Sequence, residues 1–359
     1  MNRFTRLFPL ISLFLTAVAH ATPQEAASIE KEYKLAVEKW QLQLKIASKP
    51  EERITAWKAR PNDSSYADRM WQAIQDSLAQ DWSIEPSTWF IQLASGIIKT
   101  NQDGMVTSKY TEEVNKIMSA TESYHTKSDK IGPLCLALVA GGNPRSLSLL
   151  EQIQTQNPDL KVQGVAALAS AMLLRTIGDE NEITRKRLNL LRKAIVQSAD
   201  VEINGTTVAK LAEDELYIIR YLTKGRVAPD LTGTDSAGRP ITLSSQEGKV
   251  VVLLFWNSGV IDAQHMIEIC SGMAQKYKNR PFALIGVNSD PLQKLRSMEA
   301  DGTVNWRNFS DPQNQLANEY RVGTMPVAYV LDGKRTIQFV GLPGSFVDLS
   351  VEALLSETH

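Results

Sequence analysis

The sequence predicts two domains in series: an all-α helical array over residues 22–223, then an α/β sandwich with helices on the faces of a sheet over residues 224–359. Two observations carry this. Through most of the first 223 residues, apolar side chains recur at three- and four-residue spacing, the period of an amphipathic helix. After the Gly- and Pro-containing stretch Lys224–Asp230 (KGRVAPD), short continuous apolar runs alternate with amphipathic stretches, the order of strands and the helices that cover them. A chain of 359 residues also exceeds what one hydrophobic core usually organises.

Residues 1–21 read as an export signal. Arg3 and Arg6 precede the apolar run Leu7–Val18, and Ala19-His20-Ala21 supplies the small-x-small pattern of a cleavage site, so the mature chain is expected to begin at Thr22. The apolar run is short for a bilayer span, which predicts no stable membrane span once the signal is removed. The expected location is the bacterial periplasm or the exterior, both oxidising.

The helical region opens with Ile29, Tyr33, Ala36 and Trp40 on one face of a long helix. Further helices are expected over 65–79, 87–100, 111–123, 144–156, 162–177, 181–197 and 206–221. Asn143-Pro144, Asn157-Pro158 and Gly178-Asp179 serve as turns or caps between them. The run Val165–Leu174 is apolar nearly all round and predicts a central helix. Five of the seven tryptophans, at 40, 57, 71, 82 and 89, fall early in this region and are read as packing residues.

In the C-terminal region 231–235 and 240–243 flank the turn Ser236-Ala237-Gly238 as a hairpin. Lys249–Trp256 and Phe282–Val287 are continuous apolar runs, expected as strands buried on both faces. A second hairpin, 327–331 with 336–340, turns at Asp332-Gly333, and a helix over 347–355 closes the chain.

The charges, 39 basic against 40 acidic, give a net of −1 and point to neither nucleic acid nor an anionic surface as partner. The basic block Thr184–Arg192 is expected as a solvated helix face. No nucleophile elbow, Walker loop or dinucleotide fingerprint appears, so no cofactor is expected. Asp262, His265 and Glu268 recur at three-residue spacing, but a first-turn acid, an exposed His and a surface Glu account for them without a metal. His125 has no evident partner for base chemistry. Cys135 and Cys270 are the only cysteines, compatible with one disulfide or two buried thiols.

The ordered segments VAPDLTG, GKVVVLLFW, FALIGVNSD, VNWRNFSD and VGTMPVAYVLD resemble the thioredoxin-like superfamily. The likeness is to its exported thiol-disulfide branch, TlpA-like and related to the alkyl hydroperoxide reductase and thiol-specific antioxidant group. It covers residues 224–359 and implies a thioredoxin-like sandwich. In the active family the first strand ends in FW-x-x-W-C-x-x-C, with the first cysteine at a helix N-terminus, where the dipole and unpaired N–H groups stabilise a thiolate. Aligned from Phe255-Trp256, the two cysteine positions fall on Val260 and Ala263, in the segment Val260-Ile261-Asp262-Ala263. Neither carries sulfur. Cys270 shares an apolar helix face with Ala263, Met266, Met273 and Tyr277, and reads as core filler.

The resemblance also implies a cis proline at Gly323-Thr324-Met325-Pro326, facing the redox turn. The expected function is therefore binding of an extended peptide or a partner protein at a groove formed by Trp256, Gly259, Val260, Thr324, Met325 and Pro326, without thiol-disulfide catalysis. The alternative is an oxidoreductase that uses Cys270 or Cys135 in an unusual geometry.

Overall fold

The computed structural model describes residues 22–47, 50–100, 106–143, 145–260 and 262–357. The expected signal segment lies outside the described residues. The chain forms two compact units, Met1–Ala169 and Ser170–His359.

The first unit holds, among the described residues, α1 (Pro23–Ile46), α2 (Pro50–Lys58), α3 (Asp63–Ile74), α4 (Ile84–Ala94), a short hairpin β1 (Ile98–Thr100) with β2 (Val106–Ser108), α5 (Thr111–Ala120), α6 (Gly132–Ala140), α7 (Arg145–Gln156) and the start of α8 (Leu160–Arg175). Two of its helices, α1 and α3, start where a short polar side chain accepts an unpaired N–H group of the first turn: Thr22 takes that of Glu25 and Asn62 that of Ser65. Met70, Ile74, Phe90, Ile91, Met118 and Leu150 are buried in its core. Trp71 packs on Phe90, the packing role expected of it, whereas Trp57, although its ring meets that of Trp40, is exposed. The helix expected over 87–100 stops at Ala94, because the β-branched residues of 98–100 and 106–108 pair as strands. His125 has a partner after all. It is buried, and its Nε2 lies 2.7 Å from the Leu78 carbonyl oxygen.

The second unit takes the end of α8, then α9 (Asn181–Ser198), the hairpin β3 (Glu202–Ile203) and β4 (Thr206–Thr207), and α10 (Val208–Tyr221). It continues through the hairpin β5 (Thr232–Thr234) and β6 (Pro240–Thr242), β7 (Val250–Trp256), α11 (Ala263–Lys276), β8 (Phe282–Asn288), α12 (Leu292–Ala300) and β9 (Arg307–Ser310). The last elements are α13 (Gln315–Glu319), β10 (Val327–Leu331), β11 (Ile337–Gly341) and α14 (Ser345–Glu357). Asn204 and Gly205 adopt the positive φ that a tight hairpin turn requires, so the helix expected from 206 begins two residues later, with the Thr207 side chain accepting from the Lys210 N–H.

The sheet order is β11-β10-β7-β8-β9, with β7, β8 and β9 parallel and β10 antiparallel to both its neighbours. All of β7 is buried, as its continuous apolar run predicts. Alternation splits its residues between two cores. Val250, Val252, Leu254 and Trp256 meet α11, α12 and α14 on one face. Val251, Leu253 and Phe255 meet the β5–β6 hairpin, α13 and the end of α10 on the other.

The second compact unit begins at Ser170, and Ile218 and Leu222 of the segment before 224 belong to that second core. In the basic block of α9, Arg185, Lys186 and Arg192 are exposed as expected, but Arg187 is fully buried rather than solvated, with its Nη2 3.0 Å from Glu215 and its Nη1 3.3 Å from Asp179. Burial of a guanidinium is tolerable only with such partners.

Candidate functional site

The parallel register pairs Trp256 with Asn288, so the two chains leaving β7 and β8 run side by side. Ser289 N–H donates to the Trp256 carbonyl (3.1 Å). Beyond it, the buried Asp290 carboxylate accepts from Ser258 N–H (2.8 Å), Ser258 Oγ (2.7 Å) and Asn288 Nδ2 (2.9 Å). Asn257 folds the turn back on itself by accepting Gly259 N–H at its Oδ1 (2.9 Å). Asp290 is the site residue that sequence reasoning missed; its signal was the Ser-Asp pair that ends the strand segment FALIGVNSD.

On the other side of β7, the antiparallel register places Val327 opposite Phe255, which brings the segment before β10 to the same turn. The Met325–Pro326 peptide is cis, as the resemblance implied. The Met325 Sδ accepts from Asn257 Nδ2 and from Ser289 Oγ, each at 3.6 Å. Three strand ends thus meet at one thioether. Among the described residues, the backbone N–H and C=O groups of Thr324 and Met325 make no hydrogen bond within the chain. Thr324 is exposed, and Met325 and Pro326 are half-buried.

Of the residues expected to form the groove, Met325 is tied to the turn through Asn257, and Trp256 lies away from the surface. Gly259 is exposed and Val260 half-buried, the latter packed against the core beneath. Trp256 does not line the groove. It is fully buried, its indole N–H donates to Asn308 Oδ1 (3.0 Å), and its ring packs on Trp306. The residue supports the turn from below. The helix N-terminus is also displaced from expectation. Asp262, in the left-handed region at φ 58°, precedes Ala263 as the first helical residue, so Val260 belongs to the turn.

Cys135 and Cys270 are both free and buried. Burial pushes each thiol up to about 12, well above the ordinary range, so neither carries appreciable thiolate at neutral pH. Cys270 lies on the inner face of α11 with Met266, Met273 and Tyr277. Asp262, His265 and Glu268 are exposed on that helix, and among the described residues no three His, Cys, Asp or Glu side chains are grouped to hold a metal ion.

A central sheet of this order, a turn at the end of β7 and a cis proline opposite it define a thioredoxin-like module. Residues 224–340, about a third of the chain, match the family model of the AhpC/TSA family, and the C-terminal module has a thioredoxin-like fold. The chain is similar to the thiol-disulfide oxidoreductase ResA of Geobacillus kaustophilus, 27% identical over 109 residues, which cover 30% of this chain and 63% of that protein. It is also similar to Protein DipZ of Mycobacterium bovis, 32% identical over 125 residues, 32% of this chain but only 18% of that protein. The chloroplastic peroxiredoxin Q of Triticum aestivum is 28% identical over 133 residues, 33% of this chain and 58% of that protein. Among solved structures, the thioredoxin domain of a thiol-disulfide oxidoreductase from Bacteroides vulgatus covers 37% of this chain and 98% of its own, at 23% identity and a TM-score of 0.34. The chain thus spans less than two thirds of the length of these three relatives. Among the described residues no helix is long and apolar enough to cross a membrane.

Proposed function

We propose that this protein is an exported thioredoxin-fold module that has lost thiol-disulfide chemistry and binds an extended peptide, or a partner protein through such a segment, at the cis-proline edge. The observation that carries the reading is the pairing of two features. The redox positions Val260 and Ala263 hold no sulfur, and the nearest cysteine in sequence, Cys270, is buried with its thiol pushed up to about 12. Meanwhile the backbone of Thr324 and Met325 keeps its donors and acceptors unpaired beside an exposed turn, which is what an added strand needs. Residues 1–21 would direct the chain to the periplasm or the exterior.

The test has two arms. Purified protein is assayed for reduction of insulin disulfides with dithiothreitol as electron donor, and for retention of dodecapeptides from a random library displayed on phage. Background reduction together with recovery of extended peptides is expected. Turnover that disappears in Cys270→Ser, or in Cys135→Ser, would establish the oxidoreductase alternative instead.

A further inference from the structure

Beside the cis-proline edge the second unit contains a cavity of about 440 Å³ whose walls come from the end of α8, from α10 and from the loop that follows α13. Arg175, Lys210 and Arg321 face it together with Asp214 and Glu215, and Gly323 forms its rim. The carboxylates are already engaged. Glu215, almost fully buried, accepts from Arg175 Nη1 through Oε1 (2.6 Å) and from Arg187 Nη2 through Oε2 (3.0 Å). Asp214 Oδ1 lies 3.0 Å from Lys210 Nζ and 2.6 Å from Arg321 Nε.

The cations are not exhausted in the same way. A guanidinium carries five N–H donors and an ammonium three. Arg175 and Lys210 each spend one on these carboxylates, and both side chains remain substantially exposed. Three cations face two acids, and Arg187 claims a share of one of those from behind. Arg321 is pinned as well, its guanidinium 4.4 Å from the Tyr217 ring centroid and its Nη1 donating to the Asn318 carbonyl (2.6 Å). The cavity therefore presents fixed, underused donors to whatever enters it.

From the rim at Gly323 to Met325 is two residues, at most about 7 Å of extended chain. We infer that this cavity receives the carboxylate side chain of an aspartate or glutamate in the peptide paired to the Thr324–Met325 edge, so that the module selects acidic extended segments. The inference rests on the peptide-binding reading and adds the chemistry of the ligand. It also gives α10, which lies outside the family match, a part in recognition.

The probe is a dodecapeptide recovered from the random library on the wild-type protein, compared with its counterpart in which each Asp or Glu is changed to Asn or Gln. Affinities are read by fluorescence anisotropy. The acidic peptide is expected to bind about tenfold more tightly than the amide peptide, the worth of a charge-assisted hydrogen bond in a partly buried site. Raising the salt should erode that ratio. Lys210→Gln, an exposed change that keeps most of the side-chain volume, should cut the ratio to about threefold or less. Equal affinity of the two peptides, or a ratio indifferent to Lys210→Gln, overturns the cavity assignment while the groove reading survives in the amide peptide's binding. Failure to recover any peptide overturns both.

Discussion

Asn257 Nδ2 and Met325 Sδ lie 3.6 Å apart, and this contact ties the turn after β7 to the segment that carries the cis proline. Asn257 also holds Gly259 N–H at its Oδ1, so one side chain closes the turn and anchors it. Thioether sulfur is a weak acceptor, which makes the amide the more important partner. Asn257→Ala should destabilise the protein by about 1–2 kcal/mol and weaken peptide binding, whereas Met325→Leu, similar in volume, should cost less than about 1.5 kcal/mol. Urea unfolding and anisotropy measure both. An Asn257→Ala variant with unchanged midpoint and affinity would remove the turn from the site.

Gly286 lets β8 pass under the Trp256–Asn308 hydrogen bond. A Cβ at 286 would sit 1.8 Å from Asn308 Oδ1 and 2.8 Å from Trp256 Nε1, so Gly286→Ala must push these groups apart inside a closed core. Overpacking combined with a broken buried hydrogen bond predicts a loss of about 2–4 kcal/mol. Gly272→Ala on α11 is the control. Its Cβ meets nothing within 4 Å, and removing a helical glycine should be neutral or stabilising by up to about 1 kcal/mol. Thermal or urea unfolding of the two variants should move in opposite directions or differ by at least 2 kcal/mol, on the same scale.

What could be read from the sequence follows physical periodicity. The unbroken apolar run of β7, the three-and-four spacing that buries Cys270 in α11, and the proline motif before β10 each state their environment through residue type and order. The features that escaped depend on partners distant in sequence. Nothing around Arg187 announces that Glu215 and Asp179 will close over it, and the same charge count on a solvated helix would look identical. Asp290 reads as a turn residue until the parallel register sets it beside Ser258. Trp256 misled for a related reason: alternation along β7 sends it into the core with Val252 and Leu254, although its position in the motif suggests the groove. The Asn204-Gly205 pair signals a tight turn locally, but the helical pattern on either side of it masks that signal.

Two hairpin aspartates set an acid limit on the C-terminal module. Asp235 accepts from the backbone N–H groups of Arg239 and Ala237 and from the Arg239 and Arg307 guanidiniums, and Asp332 from the N–H groups of Thr336 and Lys334 and from Gln338. Burial opposes ionisation at both, but these bonds outweigh it and hold both carboxyls below the ordinary aspartate value of 3.8. A carboxyl depressed in the folded state contributes stability that is fully present above its unfolded pKa and is lost as pH falls through the folded one. Unfolding free energy should therefore hold steady on this account above about pH 5 and fall progressively below about pH 4. Asp235→Asn and Asp332→Asn should each cost about 1 kcal/mol or more at neutral pH and flatten that acid limb. Variants as acid-sensitive as the wild type would place the limit elsewhere.

The fate of the thiol chemistry can be tested by where sulfur reacts. Cys270, with its thiol pushed up to about 12 by burial, should resist iodoacetamide at pH 7.5 in the folded protein and react promptly in denaturant. Val260 is half-buried in the turn ahead of α11, its side chain packed against the core and its carbonyl accepting from Ala263 N–H (3.2 Å), so a thiol introduced by Val260→Cys would be only partly withdrawn from solvent, just ahead of the helix. Against an ordinary thiol near 8.5, the pKa gap alone corresponds to on the order of a thousandfold more thiolate than Cys270 offers. Native labelling of Val260→Cys should be faster by at least about a hundredfold, allowing for partial burial. Adding Ala263→Cys should let the pair close a disulfide and give insulin reduction above background, since the scaffold around the turn is retained. Rapid native alkylation of Cys270 in the wild type, or a double variant that stays fully reduced under air and inert toward insulin, would show that more than two sulfur atoms separates this turn from a working one.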